Sequence, residues 1–407
     1  MPVATAFRLL EGFFQDPHET YRLLDARGPV HYVEFPNGMR AWMVTDYELA
    51  KAVLSDPTVS KDLYGKPGAA AQVNGKVTLR LDPRVNDHML YADPPRHTRL
   101  RNIAMQALSG RAVQDLTPRV GEIATALLRD MADQDTVDLI AAYAMPLAIT
   151  VISELLGIPA ADRSIFQGWL TTQLSLAEVD EKYAAAANFK DYIGRLVEER
   201  RNGAGGDLLS ELIATADAGE RLDEAELVAM VNALLLGSQE TTASLIGNAV
   251  LIMLGDPRIF EELRRDPEAI DPFLDEVLRF EGAVNLASYR FTTAPITLGE
   301  YTIDAGQILL VALASANRCP RAFKDPDAVD LGRLDNRHIA FGYGIHRCVG
   351  AALARKEVQI ALTSLVEAYP EMTLDGTAAD LRWQSSVITR GLVALPVRPG
   401  PHNNQNQ

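Results

Sequence analysis

Residues 341–350 read Phe-Gly-Tyr-Gly-Ile-His-Arg-Cys-Val-Gly, and this stretch is the most informative in the chain. Two glycines before Cys348 and one after it permit a tight turn and a close approach of the backbone to a bulky group. A helix-type pattern of apolar residues follows at once, over 350–368. Because a helix N-terminus favours an anion, a thiolate at Cys348 would be stabilised there. Taken alone, a single cysteine before a helix is more often a small buried apolar residue than a ligand.

The composition of the chain sets broad limits on its function. The chain has 407 residues, of which 47% are hydrophobic, enough for a large buried core. Its formal net charge is −15, from 39 basic and 54 acidic residues. An acidic total argues against non-specific nucleic-acid binding, which needs a basic surface. We therefore expect no nucleic-acid partner.

Cysteine content and the two ends of the chain indicate its compartment. Cys319 and Cys348 are the only cysteines, and two distant cysteines make no disulfide framework, so a reducing compartment is expected. Residues 1–8 lack the basic and apolar segments of a signal peptide, and no run of 18 or more uncharged apolar residues indicates a transmembrane helix. We expect a cytoplasmic protein with no membrane partner and a polar, disordered tail over 398–407.

Apolar periodicity predicts a mainly helical chain. The segment 223–254 stands out because, at about 32 residues, it is long enough to cross a domain. It opens with an acidic turn in which Asp223 is the expected N-cap, and Gly255-Asp256-Pro257 ends it. The other predicted helices cover 112–132, 142–157, 184–201, 258–264, 267–280 and 350–368, and the predicted strands cover 31–35, 41–44, 296–301, 307–313 and 391–397.

Two segments show weak periodicity. Residues 60–95 are rich in Gly, Asp and Pro, and a connection of this length inside a compact domain is usually functional. We expect this segment to be a mobile lid that orders over a bound substrate. A second break in the helical pattern covers 173–180.

The full pattern of residues 341–350 resembles the haem-binding loop of the cytochrome P450 family. Phe-Gly-x-Gly-x-His-x-Cys-x-Gly matches that loop at every defining position, and the resemblance extends over nearly the whole chain. It implies a haem b cofactor whose iron is held by Cys348, since a thiolate ligand pushes electron density to the iron. Cys319 lacks this context and is interpreted as a structural thiol. The resemblance also implies a single, triangular, mainly α domain with small β-sheets over residues 1–397.

Residues 237–242, Gly-Ser-Gln-Glu-Thr-Thr, lie inside the long predicted helix. Gly, Ser and consecutive Thr are poor helix-interior residues, so the run indicates either a local distortion or a tolerated weak spot. It resembles the family's oxygen-activation segment, in which Glu240 and Thr241 match the acid and the alcohol that relay protons. Ser238 departs from the family pattern, which usually has Gly at that position.

Four cationic or imidazole side chains match the family's haem-propionate ligands. In the stretch 93–101, His97 and Arg101 lie one helical turn apart, so both can reach one anionic edge. Without the resemblance, a solvated basic face at a helix start is the better explanation of these two residues. Arg290 and His346 match the two remaining ligands, and buried carboxylates need such partners.

Glu276 and Arg279 resemble the family's Glu-x-x-Arg motif. Residues at this spacing share a helix face and can pair, although such pairs usually make a minor surface contribution. Arg333 matches the third partner. The resemblance implies a structural role in support of the haem loop, so we assign these residues no catalytic role.

The resemblance implies a haem-thiolate monooxygenase that inserts one oxygen atom from O2 into a small organic molecule. Electrons from a reduced nicotinamide would arrive through a separate ferredoxin and ferredoxin reductase, since no flavin-binding or Cys-rich iron–sulfur module is recognisable in the chain. A monomer is expected. Arg99, Arg347, Arg355 and Lys356 form either a docking patch for the ferredoxin or an ordinary solvated face.

The family's pocket positions indicate the substrate class. They are mainly apolar here, with Asn285, Ser288 and Thr389 as polar contacts, which favours a bulky polyketide, macrolide, terpenoid or cyclic peptide tailored by hydroxylation or epoxidation. A steroid or a fatty acid is an open alternative. Residues 60–90, 165–185, 233–234, 284–288 and 387–389 make up this predicted pocket.

Two other classes of haem protein compete with the monooxygenase. One is a haem-thiolate enzyme of atypical reaction, such as a peroxygenase or a phenol-coupling enzyme. The other is a haem sensor without turnover. Glu240 and Thr241 disfavour both, because neither a dedicated peroxide user nor a sensor needs this relay.

Overall fold

The structure is a computed structural model, and its residues group into two compact units. Unit 1 comprises residues up to 60, 117–147 and 240 onward, and unit 2 comprises 61–116 and 148–239. The prediction of a single domain over 1–397 stays a prediction. The residues that the structure describes are 6–36, 38–62, 82–132, 134–174, 179–202, 207–217 and 222–403.

Helices make up most of the described chain, as the periodicity predicts. A π-helical turn, Ile140–Ala144, leads into α7. The helices are α1 (Gly12–Gln15), α2 (Pro17–Asp25), α3 (Tyr47–Ser55), α4 (Pro83–Asn86), α5 (Arg96–Ala107), α6 (Gly110–Arg129), α7 (Met145–Leu155), α8 (Arg163–Leu174), α9 (Val179–Arg201), α10 (Leu208–Asp217), α11 (Glu224–Gly255), α12 (Pro257–Arg265), α13 (Ile270–Glu281), α14 (Leu313–Ala316) and α15 (Ala351–Ala368).

The strands are short and form three small sheets, all in unit 1. The largest sheet has the order β1-β2-β3-β9-β6-β4, the second β10-β11-β5, and β7 pairs with β8 as a hairpin. The strands are β1 (Phe7–Arg8), β2 (Val30–Glu34), β3 (Arg40–Val44), β4 (Val59–Ser60), β5 (Val137–Asp138), β6 (Arg290–Thr292), β7 (Ile296–Leu298), β8 (Tyr301–Ile303), β9 (Ile308–Val311), β10 (Thr373–Leu374) and β11 (Pro396–Arg398).

The long helix α11 confirms the prediction for residues 223–254 almost residue for residue. Asp223 is its N-cap: the Glu226 backbone N–H donates to Asp223 Oδ1 at 2.8 Å, and the Asp223 N–H donates to Glu226 Oε2 at 3.3 Å. This reciprocal pair is a capping box. α11 ends at Gly255, because Pro257 cannot continue the helix.

The six-stranded sheet joins the beginning of the chain to its later part. β2 and β3 pair as an antiparallel hairpin, and β3 pairs in parallel with β9, with Val44 opposite Val311. All four residues of β9 are buried, which explains their unbroken Ile-Leu-Leu-Val sequence. A core cluster of unit 1 includes Val44 of β3 and Leu309 of β9, both fully buried.

Two of the predicted strands are wrong in extent. Residues 296–301 were predicted as one strand, but β7 and β8 form a hairpin that turns at Gly299, whose φ of +59° is a conformation that glycine adopts without strain. Of the predicted strand 391–397, only residues 396–397 are extended within a ladder, as part of β11.

Several short helices were not predicted, although their start signals are present. The Asp16 side chain accepts hydrogen bonds from the N–H groups of His18 and Glu19 and so caps α2. Asp46 likewise caps α3 by accepting from the Leu49 N–H at 2.9 Å. Both helices follow an aspartate N-cap, the usual signature of a helix start.

The predicted disordered tail needs a correction over residues 398–403. Arg398 ends β11, and the Asn403 N–H donates to the Ala368 carbonyl at 2.8 Å. The His402 ring packs edge-on against Tyr369, with 5.2 Å between ring centroids. Residues 404–407 lie outside the described part of the chain.

Apart from Ser60, the described part of the segment 60–95 lies in unit 2. Residues 63–81 lie outside the described chain, whereas α4 packs with Val85 fully buried. The Asn232 amide on α11 donates to the Val85 carbonyl at 2.9 Å. Of the predicted break at 173–180, residues 173–174 end α8 and residues 179–180 begin α9, so these four are helical, and residues 175–178 lie outside the described chain.

Across the described residues, no single helix is both long and apolar enough to cross a membrane, and α11 with α12 meets that test only as a pair bent by 107°.

Candidate active site

Cys348 lies in an exposed loop just before α15. The Cys348 N–H donates to the Phe341 carbonyl at 2.8 Å and closes the loop. Gly342 and Gly344 adopt φ values of +75° and +71°, the left-handed region that only glycine enters freely. A Cβ on Gly344 would lie 2.5 Å from the Leu54 carbonyl oxygen, so the glycine also allows the loop to pack against α3.

The two thiols lie in different environments. α15 begins three residues after Cys348, where the partial positive charge of a helix N-terminus favours a thiolate. Cys319 is buried, with its Sγ 3.8 Å from Asp46 Oδ2, and neither cysteine forms a disulfide. Cys348 is therefore the exposed thiol that a bound group can reach.

Arg290, at the start of β6, is a buried cation. Only 5% of the residue is exposed, and Arg290 Nη1 donates to the Ser288 carbonyl at 2.8 Å. Burial lowers the pKa of Arg290 to about 10, and no carboxylate among the described residues pairs with it. A buried guanidinium requires an anionic partner, which haem propionates provide. This cation and the exposed thiol together fit a haem group.

The other predicted propionate ligands fall in both units. His346 ends the 3₁₀ turn Gly344–His346, two residues before Cys348, in unit 1. His97 and Arg101 lie one turn apart on α5, in unit 2. Burial lowers the pKa of His97, and the Arg101 charge lowers it further, which favours the neutral imidazole. A shared role of the two pairs at one haem edge stays a prediction.

Glu240 and Thr241 lie in the middle of α11, which stays helical throughout the run 237–242. Glu240 is partly buried, and Thr389 Oγ1 donates to its Oε1 at 3.3 Å. Burial raises the pKa of Glu240 above its ordinary value, and the hydrogen bond from Thr389 opposes this rise. The carboxyl therefore keeps a proton to a higher pH than an exposed glutamate does.

The unusual Ser238 is accommodated by the helix itself. Ser238 Oγ donates to the Leu235 carbonyl at 3.2 Å, a bond within the same turn of α11. Such bonds are how serine is tolerated inside a helix. Of the two explanations left open by the sequence, this contact supports a tolerated weak spot.

The predicted triad of Glu276, Arg279 and Arg333 is assembled and buried. Arg279 Nε and Nη2 donate to the two oxygens of Glu276 at 2.7 and 2.9 Å, and Arg333 Nε donates to Glu276 Oε1 at 2.8 Å. Burial opposes ionisation of Glu276, but these bonds and one from the Asp330 N–H hold its pKa below the ordinary value. The triad joins α13 to the segment that precedes the cysteine loop.

Two of the predicted polar pocket contacts are occupied inside the protein. Asn285 is buried, and its Oδ1 accepts a hydrogen bond from the Tyr21 hydroxyl at 2.7 Å. Thr389 bonds Glu240, as described above. Sequence reasoning missed these roles because both contacts join residues more than a hundred positions apart.

Glu357 on α15 is a buried carboxyl that sequence reasoning did not single out. Only 3% of it is exposed, and its Oε1 has no hydrogen-bond partner among the described residues. Burial raises the pKa of Glu357 to about 8. The signal was present, since Leu353 and Ala361, one turn away on either side, are both buried.

Comparison with known proteins shows the family of this chain. The family model described as Cytochrome P450 matches residues 165–380. The cytochrome P450 monooxygenase PikC of Streptomyces venezuelae is 40% identical over 400 residues, which cover 98% of this chain and 94% of PikC. The chain belongs to the cytochrome P450 family. Its cofactor is the family's haem iron, and the protein is a P450 monooxygenase.

Two further relatives are similar to this P450 over nearly its whole length. Mycinamicin IV hydroxylase/epoxidase of Micromonospora griseorubida is 36% identical over 386 residues, 93% of this chain and 94% of that protein. The structure of the tirandamycin C-bound P450 monooxygenase TamI superimposes with a TM-score of 0.87 at 37% identity, covering 97% of this chain and all of TamI. The predicted fold class, mainly α with small β-sheets, is thereby confirmed.

Proposed function

We propose that this P450 oxidises a bulky secondary metabolite, by hydroxylation or epoxidation, with Cys348 as the ligand of its haem iron. When bound, the haem iron supplies O2 activation, in which one oxygen atom goes to the substrate and the other leaves as water. The observation that carries the proposal is the exposed Cys348 thiol at the start of α15. A helix N-terminus and a glycine-rich loop are the surroundings that a thiolate ligand needs.

The remaining haem contacts follow from charge. Arg290 and His346 in unit 1, and His97 and Arg101 in unit 2, would bind the propionates. The buried Arg290 contributes most to this assignment, because its charge has no described carboxylate partner and would be costly without an anion.

Glu240 and Thr241 would supply protons. The Glu240 carboxyl is partly buried, and burial raises its pKa, so it keeps a proton to a higher pH than an exposed glutamate does. Its Oε1 accepts from Thr389, which leaves Oε2 as the oxygen that carries the proton. Thr241 follows directly on α11, and its hydroxyl can both accept and donate a proton.

The substrate class is argued from the relatives and from the residues of the pocket. The relatives include a mycinamicin IV hydroxylase/epoxidase and a P450 that binds tirandamycin C. A polyketide or macrolide substrate is therefore the first choice, and terpenoids and cyclic peptides come next. The mainly apolar residues at the family's pocket positions are consistent with a bulky substrate.

Electrons would come from a nicotinamide through a ferredoxin and its reductase, and the P450 would work as a cytoplasmic monomer. Two of the four predicted docking cations form internal ion pairs, since Arg99 Nη1 donates to Glu226 Oε2 at 2.9 Å and Arg355 pairs with Asp275, and Lys356 Nζ donates to the neutral Gln359 Oε1 at 2.6 Å. Arg347 is exposed and Lys356 is partly exposed, so these two are the stronger candidates for a ferredoxin contact.

Spectroscopy and a substrate screen test the proposal. The reduced, carbon-monoxide-bound protein should give the Soret band of a thiolate-ligated haem, and macrolides should shift the ferric spectrum. Turnover with a ferredoxin, its reductase and NADPH should then give products heavier by one oxygen atom. A normal thiolate band without oxygenated product from polyketides or macrolides would overturn the substrate class, and a missing band would overturn the ligand assignment.

A further inference from the structure

One face of α11 carries polar side chains within an otherwise apolar stretch. Glu240, Ser244 and Asn248 recur at every fourth residue and so lie on the same face of the helix. Ser244 and Asn248 are buried, and Glu240 is partly buried. Buried polar groups need partners, so another element must meet this face.

The segment 384–391 meets the middle and the far end of this face. The Asn248 amide donates to the Arg390 carbonyl at 3.0 Å. Gly391 lies so close to Ser244 that a Cβ on the glycine would fall 2.1 Å from Ser244 Oγ. Only a glycine allows this approach without a shift of the segment or of the helix.

The near end of the same face is met by Thr389. Its Oγ1 donates to Glu240 Oε1 at 3.3 Å. Residues 389, 390 and 391 therefore contact three side chains spaced one turn apart on α11. This repeated contact sets the position of the Thr389 hydroxyl relative to the Glu240 carboxyl.

The segment is held in place on its other side as well. The Thr389 N–H donates to Ser386 Oγ at 3.0 Å, and the Arg390 N–H donates to the Ala283 carbonyl at 2.8 Å. The Arg390 guanidinium bonds the partly buried Glu281 at 3.0 Å and stacks 3.4 Å from the centroid of the Trp383 ring. The Thr389 hydroxyl is thus presented from a rigid support rather than from a free loop.

We propose that Thr389 is a positioning residue for Glu240. The Thr389 hydroxyl orients the Glu240 carboxyl, which donates protons in the oxidation. This inference rests on the proposed function of Glu240. It assigns to Thr389 a task inside the proton relay, in place of the substrate contact that the sequence predicted.

The electrostatics of Glu240 follow from the same contact. Burial raises the pKa of the carboxyl, and the Thr389 hydroxyl is the described group that opposes this rise. The described residues contribute no cation or second carboxylate to the shift. Loss of the hydroxyl should therefore raise the pKa of Glu240 further and leave its carboxyl free to rotate.

Thr389→Val and Thr389→Ser form the matched pair of test variants, because valine keeps the shape and serine keeps the hydroxyl. The pH at which the Glu240 carboxyl ionises is measured by infrared difference spectroscopy on the ferric holoenzyme, with Glu240→Gln to assign the band. Thr389→Val should raise that pH and lower the product formed per NADPH by about 2- to 10-fold, the usual worth of one hydrogen bond. In Thr389→Ser, both the pH at which Glu240 ionises and the product formed per NADPH should stay close to those of the unaltered protein.

A second variant should disturb the contact between Thr389 and Glu240 without changing either residue. Gly391→Ala should push the segment 384–391 away from Ser244 and alter the Glu240 band in the same direction as Thr389→Val. Gly121→Ala on α6, where an added Cβ meets nothing within 4 Å, is the control for the substitution type. If Thr389→Val fails to fold, Gly391→Ala serves as the test in its place.

The outcomes separate the positioning role from the proposed function. An unchanged Glu240 band and unchanged product yield in both Thr389→Val and Gly391→Ala would overturn the positioning role. A shifted band in a protein that oxygenates no substrate would instead keep the contact and overturn the function proposed for Glu240.

Discussion

The environments of the two cysteines predict opposite results when each is replaced. Cys348→Ala should abolish the thiolate-type Soret band of the reduced carbon-monoxide complex, because the exposed Cys348 is the thiol that a haem can reach. Cys319→Ala should keep the band, since Cys319 is buried beside Asp46. Spectra of the two variants at equal protein concentration check this, and loss of the band in Cys319→Ala alone would transfer the ligand role to that residue.

The buried ion pair of Glu276 predicts a larger contribution to the free energy of unfolding than an exposed ion pair makes. Glu276→Ala should lower the free energy of unfolding by about 3–5 kcal/mol, because it leaves the fully buried Arg279 guanidinium without its carboxylate. Urea unfolding of the holoenzyme, followed by circular dichroism, measures the loss.

The control for this prediction is Glu261→Ala on α12. Glu261 pairs with Arg264 and Arg265 at the surface, where the loss should be about 0–1 kcal/mol. Equal losses in the two variants would show that the triad contributes no more than an exposed pair.

At the scale of elements, the sequence predicted what depends on local pattern. α11 was predicted to within one residue at each end, because Asp223 and Pro257 mark its limits and the apolar pattern between them is long. The short α2 and α3 were missed, since nine residues carry too little periodicity even with an aspartate cap. The turn at Gly299 was missed because the apolar residues Ile296, Leu298 and Tyr301 on its two sides were taken as one strand.

In the candidate site as well, the sequence indicated the features with a local pattern and missed those that depend on tertiary contacts. Cys348 and the pair of Glu276 with Arg279 were singled out because each belongs to a motif with fixed local spacing, whereas Arg333, 57 positions from Glu276, was assigned from the resemblance to the family. The bond between Thr389 and Glu240 joins residues 149 positions apart, so no local pattern records it. The buried state of Glu357 depends on tertiary packing, although its place on the apolar face of α15 gave a hint.

The segment 60–95 predicts a divided pattern of hydrogen exchange. Amides of residues 82–92 should be protected with and without a substrate, because α4 buries Val85 and the Asn232 side chain holds its carbonyl. Residues 63–81 lie outside the described chain, and for them the lid stays a prediction from the sequence, namely that their amides gain protection when a substrate binds.

Exchange followed by mass spectrometry, on the protein alone and with a substrate that shifts the ferric spectrum, measures both parts. Fast exchange at 82–92 without substrate would contradict the first part of this prediction. Equal and strong protection of 63–81 in both states would contradict the second.

For the molecule as a whole, one buried carboxyl predicts a pH dependence of stability. Burial raises the pKa of Glu357 from its ordinary 4.5 to about 8. Between these two values the folded protein holds a proton that the unfolded chain has lost, so stability falls as pH rises through this window, by roughly 1 kcal/mol per pH unit. Above pH 8 both states are ionised at this position and the contribution becomes constant.

Glu357→Gln should remove this fall, since the amide is neutral at every pH. The free energy of unfolding of Glu357→Gln, relative to that of the unaltered protein, should therefore rise between pH 5 and pH 8. Urea unfolding at several pH values measures this difference. The exposed Glu371→Gln controls for the loss of one formal charge. A constant difference between Glu357→Gln and the unaltered protein across this range would contradict the raised pKa.

The pairing of β3 with β9 has a consequence for the protein while it is being made. β3 is synthesised within the first 50 residues, but its partner is synthesised roughly 270 residues later, which takes tens of seconds at ordinary rates of translation. During that time the edge of β3 that β9 will cover has no native strand beside it, and such edges invite pairing with other nascent chains. Slower translation or scarce chaperones should therefore reduce the yield of this P450 through aggregation of incomplete chains.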